Sequence, residues 1–210
     1  MSLTKMRVLE LFCGTKSIGK AVHELYPDAE IISLDIEAKF NPDICISLLD
    51  WNYKEYPSGY FDYIHASPPC TSYTWLTHKH RHGAEGDYRP KTDVGVLGDN
   101  LVKKTLEILN YFKPRFWTVE NPRGRLRHMT HMRTPVNQVV PIMKTVYYCQ
   151  YGMPYPKATD IWSNLDIPFT GLKCTHRPLK HEKKVQHTKY LDKIAIPHVL
   201  CTEFLKCLVI

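Results

Sequence analysis

The sequence predicts an α/β fold in which a mostly parallel sheet carries helices on both faces. Three observations predict it. Short apolar runs alternate with helical stretches through the first half of the chain, the pattern of a parallel sheet. A glycine-containing turn follows the first of these runs, and an acid ends the second. With 210 residues, the chain is long enough to bury one full core, so a single domain spanning 1–210 is expected.

Each element follows from local pattern. Residues 7–12 (Arg-Val-Leu-Glu-Leu-Phe) read as a first buried strand and 13–17 as a turn. Residues 18–25 read as a short helix that Ser17 would cap. Residues 30–36 form a second strand, and 60–66 a third that runs into two prolines. Residues 67–95 are polar, rich in His, Arg and Gly, and without a clear period, so a long functional loop is expected there. Leu101, Leu106, Ile108, Leu109 and Phe112 mark an amphipathic helix over 100–112, which Pro114 ends. Residues 116–120 and 145–151 read as further strands, 173–193 as a polar and mostly basic stretch, and 197–208 as a closing apolar helix.

The composition, 43% hydrophobic and 23% charged, is that of a folded domain, and no apolar run reaches the ~18 residues of a membrane helix. The apolar segment after Lys5 is too short for a signal peptide, and seven scattered cysteines suit a reducing compartment. A cytoplasmic protein, or one associated with nucleoid or nucleus, is therefore expected, with no membrane partner. The formal charge of +7 suits a polyanionic partner such as nucleic acid.

Three places carry chemistry. Gly14, just past the first strand, lets the backbone approach a ligand at a helix N-terminus, and Asp35 ends the second strand where an acid can hold ribose hydroxyls. The alternative there is an ordinary strand-turn-helix with a solvated acid. In Ser67-Pro68-Pro69-Cys70, two prolines stiffen the chain at the carboxyl edge of the sheet and present a cysteine suited to nucleophilic attack. A buried structural cysteine is the competing reading. Glu120-Asn121-Pro122, again at a strand end, offers a carboxylate for general acid chemistry or substrate binding.

In this order the sites resemble the cytosine-C5 DNA methyltransferases, and most closely their short phage- and virus-type members. The resemblance implies a Rossmann-like S-adenosylmethionine-dependent methyltransferase fold, with S-adenosyl-L-methionine as cofactor and nucleic acid, DNA first, as partner. Leu9 to Gly14 resembles the family's first motif. Phe12, Cys13, Gly14, Thr15, Ser17 and Ile18 would then form the cofactor loop, with Asp35 and Ile36 at the ribose, Asp50 and Trp51 at the adenine, and Ser67 and Pro68 beside them. Pro68-Pro69-Cys70 matches the catalytic loop, so Cys70 would add to C6 of cytosine. Glu120 would engage N3 and the exocyclic amine, and Lys157 would stand in for the two arginines of a later motif. Residues 150–154 resemble the strand before that motif, and Ile196-Pro197-His198 a degenerate last motif beside the cofactor.

The chain departs from the family pattern at Lys16-Ser17, where a glycine pair is usual. In place of a target-recognition domain it has only a short basic insert, about 171–193. The insert's cysteine and histidines (Cys174, His176, His181, His187) fit no standard zinc-finger spacing, so a basic surface loop without metal is expected. RNA or a cytidine nucleotide as substrate, and a weak or inactive binding module, remain alternatives. An amino-methyltransferase would carry an aromatic residue where Cys70 stands.

Overall fold

A computed structural model describes residues 5–75, 78–82, 87–175, 181, 185 and 188–208. Among the described residues, seven strands form one sheet: β1 (Arg7–Leu11), β2 (Glu30–Asp35), β3 (Ile44–Cys45), β4 (Tyr63–Ala66), β5 (Phe116–Pro122), β6 (Ile142–Tyr147) and β7 (Ala158–Ser163). Their spatial order is β3-β2-β1-β4-β5-β7-β6. The first five run parallel, while β7 pairs antiparallel with both β5 and β6. The order reverses between β1 and β4, so a crevice opens at the carboxyl ends of these strands.

Side chains alternate across the sheet and feed two cores. Leu9, Leu11, Ile64, Trp117 and Val119 face α2 (Asp93–Phe112), which buries Leu101, Leu106, Ile108, Leu109 and Phe112 against them. Val8, Tyr63, Phe116 and Ile161 face the other way, onto α1 (Ser17–Leu25) and α4 (His198–Lys206). A short α3 (Tyr190–Ile194) precedes α4. Helices thus cover both faces, as the sequence predicts. Among the described residues, no helix is long and apolar enough to cross a membrane.

A row of polar residues crosses the second face. Ser33, Glu10, His65 and Thr118 are successive partners in the strand register, and all are buried. Glu10 accepts hydrogen bonds from the backbone N–H groups of Ile18 (3.1 Å) and Gly19 (2.9 Å), in the first turn of α1. It therefore does the capping expected of Ser17. Residue 16 occupies the cap position, and no side chain there makes the cap bond. Burial pushes the Glu10 carboxyl up to about 7, against the pull of those two N–H groups.

Other boundaries move as well. Helix α2 begins at Asp93, seven residues before the expected start, with Thr92 accepting from the Gly95 N–H at its N-terminus. The expected strand over 145–151 is instead β6 followed by a 3₁₀ turn at Tyr148–Tyr151. Strands β3 and β7 and helix α3 lie where the sequence showed no element.

Candidate active site

After β1 the chain turns through three left-handed residues, Phe12 (φ 57°), Gly14 (φ 46°) and Lys16 (φ 55°). For the two non-glycine residues this conformation costs about 1–2 kcal/mol each, and such strain concentrates at functional loops. Lys16 adopts a left-handed backbone that a glycine would take freely. The loop is tied to β2: Cys13 N–H donates to the Leu34 carbonyl (3.0 Å) and Gly14 N–H to Asp35 Oδ2 (2.9 Å). Asp35 Oδ1 accepts from Glu37 N–H (2.9 Å), which leaves further lone pairs on a fixed carboxylate at the strand end. Beside it Ile36 is 68% exposed, an apolar surface at the rim of the crevice.

The remaining expected cofactor residues divide into loop and core. Thr15 and Ser17 pair through their hydroxyls (3.0 Å), and Ser17 Oγ also accepts from the N–H of Ile196 (3.1 Å). The closing segment therefore returns to the first loop. Cys13 is buried, its thiol pushed up to about 12 by burial and then by Glu10 and Asp35. Ile18, in the first turn of α1, is wholly buried, so its side chain belongs to the core. Asp50 is exposed, whereas Trp51 packs against Tyr53, Tyr56 and Phe112 with ring centroids 6.2–6.5 Å apart. A cleft of about 530 Å³ beside the loop is lined by Gly14, Thr15, Lys16, Lys39 and Phe40 among others. Cys70, Glu120 and Trp51 are not in that lining, so the cleft marks one flank of the loop and not the reaction centre.

Strands β4 and β5 are parallel neighbours, and each ends in one of the other two motifs. Pro68 is buried and Cys70 half-buried just past β4. The Cys70 carbonyl accepts from the N–H groups of Tyr73 (2.9 Å) and Thr74 (3.0 Å), which folds the chain back after the thiol. Ser67 is fixed on both sides: its N–H donates to the Leu11 carbonyl (3.2 Å) and its hydroxyl bonds His65 Nε2 (2.9 Å). Asn121, wholly buried on β5, donates from Nδ2 to the Pro68 carbonyl (2.8 Å). That bond locks the Pro-Pro-Cys turn to the strand carrying Glu120.

Glu120 is buried, accepts from the Tyr148 hydroxyl (3.0 Å) and lies 3.7 Å from Lys157 Nζ. Lys157 sits over the Tyr148 ring (4.5 Å) and donates to the Lys193 carbonyl (2.9 Å). The Cys70 thiol is held above its ordinary range by burial and then by the charge of Glu120, while Lys157 pulls it down. The structure thus brings Cys70, Glu120 and Lys157 together. Sequence reasoning missed Tyr148 and His65, which hold the site from beneath. A tyrosine and a histidine inside apolar runs read as ordinary core residues.

The loop after Cys70 departs from expectation. Its basic residues, His78, His80, Arg81 and His82, read in sequence either as closing over a substrate or as a solvated loop. Arg81 is instead buried, donating to both carboxylate oxygens of Asp99 (2.6 and 3.3 Å) and to the Ser72 carbonyl (2.9 Å). His80 is buried and bonded to Thr92 Oγ1 (2.9 Å). A charge taken out of water needs such partners, so Arg81 anchors the loop to α2 and offers little to a phosphate. Close packing reinforces the anchor: a Cβ on Gly98 of α2 would lie 2.3 Å from Ser72 Oγ. The side chain of His78 lies outside the described residues.

No protein-family model matches the chain. It is similar to the protein named "Probable DNA (cytosine-5)-methyltransferase" of Frog virus 3 (isolate Goorha). The two are 30% identical over 167 residues, which cover 77% of this chain and 72% of that protein. Among solved structures it is similar to the methyltransferase EhMeth of Entamoeba histolytica (TM-score 0.55, 16% identity, 86% of this chain). It is also similar to the Dnmt2 methyltransferase of S. pombe (TM-score 0.53, 16% identity, 87% of this chain). The chain spans only 58% and 60% of these two structures, and at such identity they speak for the fold alone. The curated relative, matched over most of both sequences, carries the assignment: the chain belongs to the DNA (cytosine-5)-methyltransferase family.

Proposed function

We propose that the chain transfers a methyl group from S-adenosyl-L-methionine to C5 of cytosine in DNA, with Cys70 as nucleophile and Glu120 as the carboxylate that engages the base. The observation that carries this reading is the junction of β4 and β5. There the half-buried Cys70 thiol and the buried Glu120 carboxylate stand at neighbouring strand ends, locked by the Asn121–Pro68 bond.

The residues around the first loop fit an adenosine cofactor. Asp35 is a fixed carboxylate with acceptor capacity to spare for ribose hydroxyls, and the exposed Ile36 beside it suits an adenine face. When bound, S-adenosyl-L-methionine supplies an electrophilic methyl group. The chain's own residues make C5 able to accept it. Cys70 as thiolate adds to C6, and the C5–C6 π electrons move to C5. As the thiolate adds, Glu120 gives a proton to N3 and accepts from the exocyclic amine, so the ring is spared the added negative charge and the carboxylate keeps it. Lys157 balances the carboxylate. After methylation, loss of the C5 proton re-forms the double bond and expels the Cys70 sulfur. In duplex DNA the base must leave the stack to reach Cys70, and the protein's net positive charge favours binding the polyanion.

The test is labelled S-adenosyl-L-methionine offered with duplex DNA, single-stranded DNA, RNA or a cytidine nucleotide, and mass spectrometry of the product base. The expected product is 5-methylcytosine, formed on DNA and lost in Cys70→Ala. A 5-fluorocytosine substrate should trap an adduct on Cys70. Methyl transfer that survives Cys70→Ala would overturn the mechanism, and 5-methylcytosine formed only in RNA or nucleotide would overturn the substrate.

A further inference from the structure

Away from Cys70, three potential metal ligands converge from distant parts of the chain. Cys149 lies on the 3₁₀ turn after β6, while Cys174 and His181 belong to the segment after β7. The two sulfurs are 3.5 Å apart, and Cys174 Sγ is 3.4 Å from His181 Nε2. All three donor atoms lie within 4.8 Å of one another. We propose that Cys149, Cys174 and His181 bind a zinc ion that fastens the segment after β7 to the end of β6.

Distances and donor chemistry support this. Zinc–sulfur bonds of about 2.3 Å and zinc–nitrogen bonds of about 2.0–2.1 Å in a tetrahedron place neighbouring donors roughly 3.5–3.8 Å apart. The separations of 3.5 and 3.4 Å fall at the lower end of that range and just below it. The sulfurs are well beyond the ~2.05 Å of a disulfide. Two thiols and an imidazole are soft and borderline donors, suited to zinc and unsuited to magnesium or calcium, which take oxygen ligands. Three protein donors leave a fourth position for water or another side chain.

The surroundings resemble the outer shell of a metal site. The Gln150 amide bonds Cys149 Sγ (3.9 Å) and Thr175 Oγ1 (3.2 Å), linking the turn to the segment beside Cys174. Tyr147 N–H donates to the Gly171 carbonyl (2.9 Å), and Gly171 N–H donates to the Tyr151 hydroxyl (2.9 Å). These bonds bring the ligands together without the ion. The sequence expectation of a basic loop without metal weighed only the insert's own residues, whereas Cys149 lies 25 residues before Cys174, outside the insert. The neighbouring Tyr148 holds Glu120, so the ion would brace the turn that supports the candidate active site. The proposal does not depend on the reading of Cys70.

The test is metal analysis of the intact chain, purified without chelator, by inductively coupled plasma mass spectrometry. One zinc per chain is expected, retained in Cys45→Ser and lost in Cys149→Ser, Cys174→Ser and His181→Ala. Because a variant can fail by misfolding, cobalt(II) titration of the unaltered protein provides a second reading. Visible d–d bands of a tetrahedral ion and a thiolate-to-cobalt charge-transfer band are expected, both abolished by excess zinc. Absence of zinc together with absence of the charge-transfer band would overturn the proposal. So would zinc retained in the Cys149→Ser/Cys174→Ser double variant, or a metal-free protein with a Cys149–Cys174 disulfide.

Discussion

Burial and the Glu120 carboxylate hold the Cys70 thiol above its ordinary range, and Lys157 pulls the other way. Only the thiolate attacks, so the three residues set one another's chemistry. Removing the carboxylate charge in Glu120→Gln should move the pH midpoint of Cys70 alkylation down, and Lys157→Met should move it up. Each pKa unit changes the thiolate fraction at neutral pH by about tenfold. Iodoacetamide labelling against pH, read by peptide mass mapping, measures Cys70 alone, and Cys13, pushed up to about 12, should stay unmodified. Midpoints that fail to separate in these directions would remove Glu120 and Lys157 from the thiol's environment. At this scale the sequence was legible where a motif named a residue. Cys70, Glu120 and Lys157 fall together as expected, whereas Trp51 and Ile18 serve the core.

Between β4 and α2, the loop that carries Cys70 is anchored to the helix by the buried Arg81. Arg81 bonds Asp99, Ser72 and the Gly95 carbonyl (3.1 Å) and sits over the Tyr73 ring (4.2 Å). Removing one partner of a buried pair costs about 3–5 kcal/mol because the other charge is left uncompensated. Arg81→Met should therefore lower unfolding stability by about that much in urea titration. Arg81→Met/Asp99→Leu should recover a large part of it, since a well-packed apolar pair is often no less stable. A loss below about 1 kcal/mol in the single variant would refute the anchor. The same buried polar chemistry hid elements from the sequence. Strand β7 reads Ala-Thr-Asp-Ile-Trp-Ser, yet Asp160 is buried on it, paired with Arg127 and Thr145 (2.8 Å). An acid satisfied by a distant arginine looks like a loop residue when read locally. The first turn of α2 was likewise hidden, because Val94, Val96 and Leu97 are exposed there and Gly95 and Gly98 serve close packing.

Across the whole molecule, the polar row ties stability to pH in two opposing ways. Burial pushes Glu10 up from 4.5 to about 7, so its contribution is complete below pH 4.5 and lost as pH rises through 7. Burial pushes His65 down from 6.5 to about 3, so its contribution is complete above pH 6.5 and lost as pH falls through 3. Between pH 4.5 and 6.5 the two slopes oppose each other, each up to about 1.4 kcal/mol per pH unit. The unaltered protein should show a shallow dependence there. Glu10→Gln should unmask stability that rises with pH, and His65→Gln stability that falls. Urea unfolding at three or four pH values measures this; parallel profiles for all three proteins would refute it. The parallel architecture was legible from alternating apolar runs, but this row was not, because its members meet only when four strands come into register.

The row also bears on how the sheet assembles. Parallel strands are joined by crossovers, so no tight hairpin turn dictates how one aligns with the next. A one-residue slip of β4 along β1 would set Glu10 opposite Ile64 or Ala66 in place of His65 and turn the polar side chains toward the opposite core. Misaligned sheets would then carry buried groups without partners, and such forms are penalised while the chain is still collapsing. Glu10 and His65 in this sense proofread the alignment that brings Cys70 and Glu120 to neighbouring strand ends.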